Sequence, residues 1–597
     1  MVENNKPHPD NKSLQPVEPP ANGHYEGQIF DILLHSWQGR FTGWLSPASV
    51  SLAFFDWLSH FNMAPARQIH IARKNWQNLI RLLFFAIHCQ QSNTSLTEHC
   101  MQLKLEDKRF KEKSWHNFPF SLYVQQFLMI EQAINEMTWN IRGATPHHLR
   151  VVNFVQRQFL DIFSPSNFPW TNPEILEKTF ETKGQNFLDG AANLMDDLFR
   201  EWLHLPSKEM EKFKVGVNLA VTPGKVVFRN RLMELIQYSP TTAKVYPEPI
   251  FIIPAWIMKY YILDLSAHNS LVRYLVSKGH TVFMISWTNP GHDDRDFGFD
   301  TYVNHGILEG LQAILNIVPA QQVHAVGYCL GGTLLSMVAA SLAGRSDDRF
   351  KSMTLFAAQV DFREPGELQL FIDHSQVTYL EDIMWEQGYL NGKQMTGAFS
   401  MIRSNDLVWS RIIHDYFLGA RRPLNDLMAW DHDTTRLPYR FHSEYLHNLF
   451  LNNDLVQGRF RVNHRRIALS DIRVPIFLVG TQTDHIAPWR SVYKLHLFTD
   501  TEITFVLTSG GHNAGIVSEP GHRGRSFQIR TRKPHDKYLT SDCWLEKAPS
   551  YQGSWWPVWQ QWLVEQSGNQ IPPPPMGNAE KGYPPLCDAP GTYVFQK

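Results

Sequence analysis

The feature that most constrains this chain is the six-residue string GYCLGG at residues 327–332. The apolar run before it, 323–326, is typical of a β-strand, and the Leu-, Met- and Ala-rich run after it, 333–343, is typical of a helix. A nucleophile flanked by small residues between a strand and a helix predicts a nucleophile elbow centred on Cys329. The alternative is a buried, unreactive cysteine in a glycine-rich turn, since cysteine is often buried.

Cysteine at this position indicates acyl transfer rather than plain ester hydrolysis. A thiolate attacks thioesters well and is in turn a good leaving group. The helix that follows Cys329 directs its free N–H groups and its positive end at the sulfur. The N–H of Leu330 is therefore one predicted donor to an oxyanion.

Short apolar, β-branched runs alternate with helical stretches over residues 211–570, and this region is predicted to be the catalytic domain. Continuous apolar strands between helices favour a parallel sheet covered on both faces, which together with the elbow predicts an α/β-hydrolase fold. The predicted strands are 226–228, 250–253, 281–285, 323–326, 474–479 and 503–507. A long aromatic, helical insertion at about 363–461 is predicted to form a cap over the site.

Three other segments flank this domain. Residues 1–25 are polar and Pro-rich, and are expected to be a disordered tail without a secretory signal. Residues 26–210 form a predicted α-helical N-terminal domain, because apolar residues recur at helical spacing, as at Leu52, Phe55 and Leu58. Residues 571–597 are expected to form a loosely ordered C-terminal tail.

The net charge and the cysteine content argue against several classes of protein and of binding site. A net charge of -1 argues against a nucleic-acid-binding protein. The five cysteines are scattered without a CxxC, which favours the reducing cytoplasm and argues against a disulfide framework or a metal site. No apolar run reaches transmembrane length.

An acid and a base complete the predicted triad. In this fold the order along the chain is nucleophile, acid, base. Asp484 follows the strand 474–479, and His512 follows the strand 503–507. We expect His512 to exchange protons with Cys329 while Asp484 orients the imidazole. His485, beside Asp484, is expected to line the pocket or orient a loop, with simple packing as the alternative.

A second oxyanion donor is expected in the loop 254–261, which follows the strand 250–253. A backbone N–H within 255–257, and that of Ile257 in particular, is the candidate. The alternative is a buried aromatic turn.

With these residues in place, the chain resembles the class I polyhydroxyalkanoate synthases, the poly(3-hydroxybutyrate) polymerases. The resemblance covers nearly everything after the first 25 or so residues. Long strings carry it: FSPSNFPWTNP at 163–173, WIMKYYILDL at 256–265, GYCLGGT at 327–333, DHIAPW at 484–489 and GSWWP at 553–557. Two positions depart from the usual pattern, namely Asn513, where many members carry an apolar residue, and Ala255, where Pro is more common.

The resemblance implies polymerisation of (R)-3-hydroxyacyl-CoA, with 3-hydroxybutyryl-CoA as the expected monomer, and release of CoA from an acyl-cysteine on Cys329. Asp484 is assigned in the family either to orient His512 or to help activate the 3-hydroxyl, and both roles stay open. Trp430 matches a family tryptophan close to the site and is expected to form a pocket wall, with plain cap packing as the alternative. Trp256 is also expected near the pocket. No cofactor is expected beyond the CoA thioester.

The resemblance also implies a homodimer at polyester granules and possible contact with granule-associated proteins. The cysteine usage and the short apolar runs predict a cytoplasmic protein without a transmembrane segment. The phosphates of CoA call for basic residues near the cap, for which Arg421, Arg422 and Arg440 are candidates, with solvated surface charge as the alternative.

Two rival functions stay open on the residues alone. A cysteine-nucleophile thioesterase would release free hydroxy acid instead of polymer. A granule-surface scaffold would be catalytically dead, although retention of Cys329, Asp484 and His512 counts against it.

Overall fold

A computed structural model of the chain describes residues 28–42, 44–91, 107, 109–203, 205–319, 322–392, 394–395, 397, 401 and 404–597. The predicted tail at 1–25 lies outside these residues, as does Cys100. The N-terminal helices are α1 (Gln28–Thr42), α2 (Pro47–Asn62), α3 (Pro65–Gln91), α4 (Phe120–Thr138), α5 (Pro146–Ile162), α6 (Pro173–Thr182) and α7 (Gln185–Trp202). The predicted helical character of the N-terminal region is confirmed.

Later helices surround a sheet. They are α8 (Leu271–Ser277), α9 (Phe299–Thr301), α10 (Glu309–Ile317), α11 (Leu330–Ala343), α12 (His374–Gln387), α13 (Asp426–Asp431), α14 (Tyr439–Tyr445), α15 (Trp489–Tyr493), α16 (Ser541–Lys547) and α17 (Trp556–Glu565). The principal strands are β1 (Gly224–Arg229), β2 (Met233–Tyr238), β3 (Ile250–Ile253), β4 (Val282–Trp287), β5 (Val323–Tyr328) and β6 (Phe350–Phe356). The remaining strands are β7 (Tyr389–Leu390), β8 (Leu437–Pro438), β9 (Arg461–Val462), β10 (Arg465–Arg466), β11 (Ile476–Thr481), β12 (Ile503–Thr508), β13 (Ser526–Arg532), β14 (Ser550–Gln552) and β15 (Cys587–Asp588).

The main sheet has eleven strands in the order β14-β13-β12-β11-β6-β5-β3-β4-β2-β1-β15. Its six central strands, from β4 to β12, pair in parallel, and antiparallel strands extend it at both edges. Side chains of β3 alternate between two large apolar clusters, with Ile250 and Ile252 in one and Phe251 and Ile253 in the other. Both faces are therefore buried, as the unbroken apolar strands predict.

The strand that leads to the elbow contains a buried histidine. His324 of β5 is fully buried, and its ring nitrogens lie 2.7 Å from Ser352 Oγ and 3.0 Å from Ser567 Oγ. Burial lowers the pKa of His324 to about 3, because the charged ring cannot be solvated there.

Acid is therefore expected to destabilise the fold through His324. The unfolded chain takes up a proton below about pH 6.5 and the folded one only near pH 3, so stability is lost as pH falls across that window. In urea unfolding, His324→Gln is expected to reduce the loss of stability between pH 7 and pH 4.5 by about 2 to 3 kcal/mol. An identical pH dependence in the variant would contradict this assignment.

A predominantly helical cap lies between β6 and β11, where an insertion is predicted. It includes α12, α13 and α14, with two small two-stranded sheets formed by β7 with β8 and β9 with β10.

The described N-terminal helices dock on this cap. His35 of α1 bonds to Asp382 of α12 at 2.6 Å, and Ser36 donates to Glu386 at 2.8 Å. Helix α7 lies against the cap segment 412–417, and a Cβ on Gly190 would overlap the carbonyl oxygen of Tyr416. Helices α1 and α7 thus each contact a separate segment of the cap.

The C-terminal segment differs from the loose tail that we predicted. Its strand β15 pairs antiparallel with β1 and completes one edge of the main sheet. The buried Glu234 accepts the N–H groups of Thr592 and Tyr593, both at 2.9 Å. Lys259 donates to the carbonyl of Gln596 at 2.8 Å. Pro-rich composition alone did not reveal these long-range contacts.

Of the helices within the described ranges, none is both long and apolar enough to cross a membrane.

Candidate active site

Cys329 occupies a strained turn between β5 and α11. Its backbone adopts φ 54° and ψ -124°, a conformation that costs an L-residue about 1 to 3 kcal/mol. The turn is held because the N–H of Cys329 donates to the carbonyl of Phe356 at 2.8 Å, while the carbonyl of Cys329 accepts the N–H of Gly332 at 2.9 Å. The predicted elbow is present in the structure, with the cysteine at its apex.

Two glycines of the string are required by close approach. A Cβ on Gly327 would overlap the backbone of Gly332, and one on Gly331 would overlap the carbonyl oxygen of Ile253. Gly331 therefore lets the start of α11 pack directly on the end of β3. This contact brings the loop after β3, which holds the predicted second oxyanion donor, beside the elbow.

Asp484 and His512 meet as predicted from their positions after β11 and β12. The Nδ1 of His512 lies 2.8 Å from Asp484 Oδ2. The same oxygen accepts the hydroxyl of Thr481 at 2.9 Å. The other oxygen accepts the N–H groups of Ile486 and Ala487 at 2.9 and 2.8 Å. The carboxylate is thus held by four donors.

These contacts decide the charge of the pair. Burial alone would raise the pKa of Asp484, but the charge of His512 and the hydrogen bonds to the carboxylate outweigh burial and lower it. Since Asp484 is ionised, Nδ1 of His512 must be the donor in their bond. Burial alone would lower the pKa of His512, yet Asp484 and Cys329 together raise it well above its ordinary range.

Cys329 is close enough to His512 that its charge and a hydrogen bond from its side chain both help to raise the pKa of the imidazole. Because Nδ1 of His512 is bonded to Asp484, Nε2 is the ring nitrogen that remains for the bond to the sulfur. Cys329, Asp484 and His512 are each exposed by less than a tenth. The three residues therefore lie together in one buried group, in the order nucleophile, base and acid.

The two predicted oxyanion residues, Leu330 and Ile257, both pack against the apolar cluster that contains Cys329. Leu330 is the first residue of α11, so its N–H points out of the helix start beside Cys329. Ile257 lies in the loop after β3, and its carbonyl accepts the N–H of Thr435 at 3.2 Å. The cap thereby holds this loop in place. The assignment of the two N–H groups to an oxyanion stays a prediction.

The three predicted pocket residues have different environments. Trp430 is buried in the apolar cluster that includes Cys329, and its Nε1 donates to the carbonyl of Lys259 at 2.7 Å. Trp256 is also buried, with its ring 4.5 Å from that of Phe441. His485 is exposed. Their role as pocket residues stays a prediction.

Arg421, a candidate for CoA binding, instead joins the cap to α7. Its guanidinium contacts Asn193, Asp196, Asp197 and Glu209. Arg440 pairs with Glu444 at 2.8 Å, and Arg422 is exposed. No cluster of three or more His, Cys, Asp or Glu able to hold a metal occurs in the part of the chain that the structure describes.

Arg421→Ala is expected to destabilise the contact between α7 and the cap by about 2 kcal/mol, because it removes the hydrogen bonds to Asn193 and the ion pair with the largely buried Glu209. The measurement is the thermal midpoint together with limited proteolysis, and the exposed neighbour Arg422→Ala is the control. A raised KM for acyl-CoA with unchanged stability would instead favour a CoA contact.

The sequence reasoning missed two polar groups around the triad. Thr481 supports Asp484, and Asn513 connects Tyr328 of the elbow to Asp431 of the cap. Thr481 lies three residues before Asp484, so its hydroxyl was a usable signal. The partners of Asn513 lie far away in sequence, and nothing local pointed to them.

Family models match most of the chain. A model described as the N-terminus of poly-beta-hydroxybutyrate polymerase (PhaC) matches residues 106–275. A second model, for the N-terminal segment of poly-beta-hydroxybutyrate polymerase, matches 26–67. The α/β-hydrolase fold model matches 248–519, which confirms the predicted fold class.

Curated relatives align over more than four fifths of the chain. A poly(3-hydroxyalkanoate) polymerase of Methylorubrum extorquens is 40% identical over 84% of this chain and 83% of its own length. The poly(3-hydroxyalkanoate) polymerase subunit PhaC of Rhizobium etli is 36% identical, over 82% of this chain and 77% of the relative. The protein of the same name from Rhizobium meliloti is 34% identical, over 90% of this chain and 86% of the relative.

Proposed function

Because this chain belongs to the family of poly(3-hydroxyalkanoate) polymerases, we propose that Cys329, His512 and Asp484 are the residues with which it builds polyester. The chain is an acyltransferase that joins 3-hydroxyacyl units into polyhydroxyalkanoate. The observation that supports the assignment of residues is the buried hydrogen-bonded chain from sulfur to imidazole to carboxylate.

The first half-reaction loads the cysteine. Sγ of Cys329 attacks the thioester carbonyl of (R)-3-hydroxyacyl-CoA while Nε2 of His512 holds the thiol proton. The negative charge on the carbonyl oxygen is stabilised by the N–H of Leu330 and one from the loop after β3. The carbon–sulfur bond to CoA then breaks, and the leaving thiolate takes the proton from His512.

The second half-reaction forms the ester. The 3-hydroxyl of another unit attacks the acyl-cysteine carbonyl, and Nε2 of His512 accepts the hydroxyl proton. The bond to Sγ breaks and the thiolate returns. Water would give a free acid by the same route, so burial of Cys329 and His512 beneath the cap favours transfer over hydrolysis.

For Asp484 we favour the orienting role. Its two oxygens already accept four hydrogen bonds, from His512, Thr481 and two backbone N–H groups. A carboxylate with these partners has little capacity left for a substrate hydroxyl. Its charge instead fixes the tautomer and ring orientation of the imidazole.

The decisive assay supplies (R)-3-hydroxybutyryl-CoA and measures both CoA release and the product, with Cys329→Ala as the blank. Release of CoA with insoluble polyester supports polymerisation of this monomer. Release of CoA with soluble 3-hydroxybutyrate would instead indicate a thioesterase, and no release would contradict both.

We also propose that the N-terminal helices attach the enzyme to the polyester granule in the cytoplasm and that it acts as a homodimer. Large apolar side chains are exposed on three of these helices: Phe30, Trp37 and Phe41 on α1, Ile69, Trp76 and Leu83 on α3, and Leu188, Phe199 and Trp202 on α7. Their number supports an apolar partner surface.

The granule proposal is tested by sedimentation with poly(3-hydroxybutyrate) particles. The double variant Trp37→Ser with Phe41→Ser should bind less, while Tyr551→Ser, an exposed aromatic of the catalytic domain, should bind as before. Equal binding by the wild type, the double variant and Tyr551→Ser would contradict the granule proposal. Light scattering coupled to gel filtration tests the dimer.

A further inference from the structure

A second polar connection reaches the active site through Asn513. The hydroxyl of Tyr328 donates to Asn513 Oδ1 at 2.6 Å, and Asn513 Nδ2 donates to Asp431 Oδ1 at 2.9 Å. These contacts link three separate elements, namely the elbow, the loop after β12 and the cap helix α13. Neither bond belongs to the triad.

Tyr328 is in a position to orient the base. It directly precedes Cys329, is only 2% exposed, and its ring lies 5.7 Å from that of His512 at an interplanar angle of 34°. Asn513 supplies the partner of the buried tyrosine hydroxyl. Without Asn513, the hydroxyl of Tyr328 would be buried and unpaired, and this cost would favour a shift of the tyrosine ring.

Asn513 is itself held on both sides. Its carbonyl accepts the N–H groups of Ile516 and Val517 at 3.1 and 3.0 Å, which fixes the backbone. Asp431 fixes the side chain, because a carboxylate accepts hydrogen bonds and so draws the NH₂ group toward itself. The amide oxygen is thereby presented to Tyr328.

The acidic end of this connection is attached to the cap. Asp431 is the last residue of α13, and Asp426 at the start of that helix accepts Ser266 Oγ at 2.6 Å and Asn269 Nδ2 at 2.9 Å. Trp430 is bonded to the carbonyl of Lys259. Helix α13 is thus pinned at both ends before it presents Asp431 to Asn513.

We propose that Asn513 is a positioning residue: its amide, oriented by Asp431 of the cap, fixes Tyr328 so that the tyrosine ring holds His512 against Cys329. The proposal rests on the catalytic roles given to Cys329 and His512 above.

The test compares four proteins in the assay of CoA release from (R)-3-hydroxybutyryl-CoA: Asn513→Leu, Tyr328→Phe, the double variant and wild type. Asn513→Leu keeps a similar volume and removes both hydrogen bonds, while Tyr328→Phe removes only the hydroxyl. Asn304→Leu is the control, since Asn304 is also half-buried and exchanges two side-chain hydrogen bonds with Asn463, away from the triad.

We expect Asn513→Leu to lower kcat about 10- to 100-fold with KM changed by less than about 2-fold, because misplacement of a catalytic group slows chemistry more than binding. Tyr328→Phe should lose a similar factor, and the double variant should lie within about 3-fold of Asn513→Leu, since both changes break one connection. Alkylation of Cys329 at pH 7, followed by peptide mass spectrometry, should slow in the same two variants by more than about 3-fold.

The proposal is overturned by a normal kcat in Asn513→Leu, by losses that multiply in the double variant, by a change confined to KM, or by an equal loss in Asn304→Leu. Failure of the wild-type protein to release CoA would instead contradict the proposed function. Should Asn513→Leu fail to fold, the kcat and alkylation rate of Tyr328→Phe decide the matter.

Discussion

Cys329→Ala is expected to lower the rate of CoA release from hydroxyacyl-CoA by at least about 10⁴-fold. In the proposed mechanism the sulfur of Cys329 forms the covalent intermediate of both half-reactions, so its removal leaves no atom to carry the acyl group. The backbone at φ 54° accepts alanine as readily as cysteine, so the fold should persist. The measurement is single-turnover CoA release, with circular dichroism as the check on folding.

Two further variants sharpen this result. Cys543→Ala removes a free, exposed cysteine from α16 and should leave the rate unchanged. Cys329→Ser keeps the geometry but replaces the thiol by a far less acidic hydroxyl, and should lose nearly as much as Cys329→Ala. Near-normal activity in Cys329→Ser would refute the nucleophile assignment.

Asp484→Asn is expected to lower kcat about 10³- to 10⁴-fold. The amide can still accept the N–H groups of Ile486 and Ala487, so the loop should keep its shape. It lacks the charge that stabilises the imidazolium, and it no longer selects the His512 tautomer with its proton on Nδ1. The lone pair of His512 then lies on Nδ1, which faces residue 484, instead of on Nε2, which faces Cys329.

Thr481→Val is the matched control for this variant. It removes one neutral hydrogen bond to the same oxygen and preserves side-chain volume, so a loss of about 10-fold or less is expected. Should Asp484→Asn and Thr481→Val lose equal activity, charge and tautomer would not be the role of Asp484. A normal first turnover with a failed second one would favour a role toward the substrate hydroxyl.

The fold and the core of the site could be predicted from local sequence. Strands such as β3 and β5 are short, apolar and unbroken because both faces are buried, so their pattern survives in any context. Cys329 was recognisable because the strained turn and its close contacts demand glycine at 327 and 331. Asp484 and His512 followed from chain order, since parallel strands end at the same edge.

The features that local sequence could not predict depend on contacts between distant segments of the chain. Strand β15 is two residues long and pairs with β1 across most of the chain, which no periodicity can reveal. Asn513 meets Tyr328 and Asp431 only after folding. Arg421 was a reasonable candidate for phosphate binding by residue type, and only tertiary packing placed four partners from α7 and its following segment around it.

The docking of α1 and α7 on the cap has a practical consequence for enzyme engineering. Any motion that uncovers Cys329 by lifting the cap must either carry these helices along or break contacts such as those of His35 and Arg421. A shortened protein that begins near β1 would lose that restraint. Its cap would then be held by fewer contacts, so its turnover rate and its rate of hydrolysis would not represent those of the full-length polymerase.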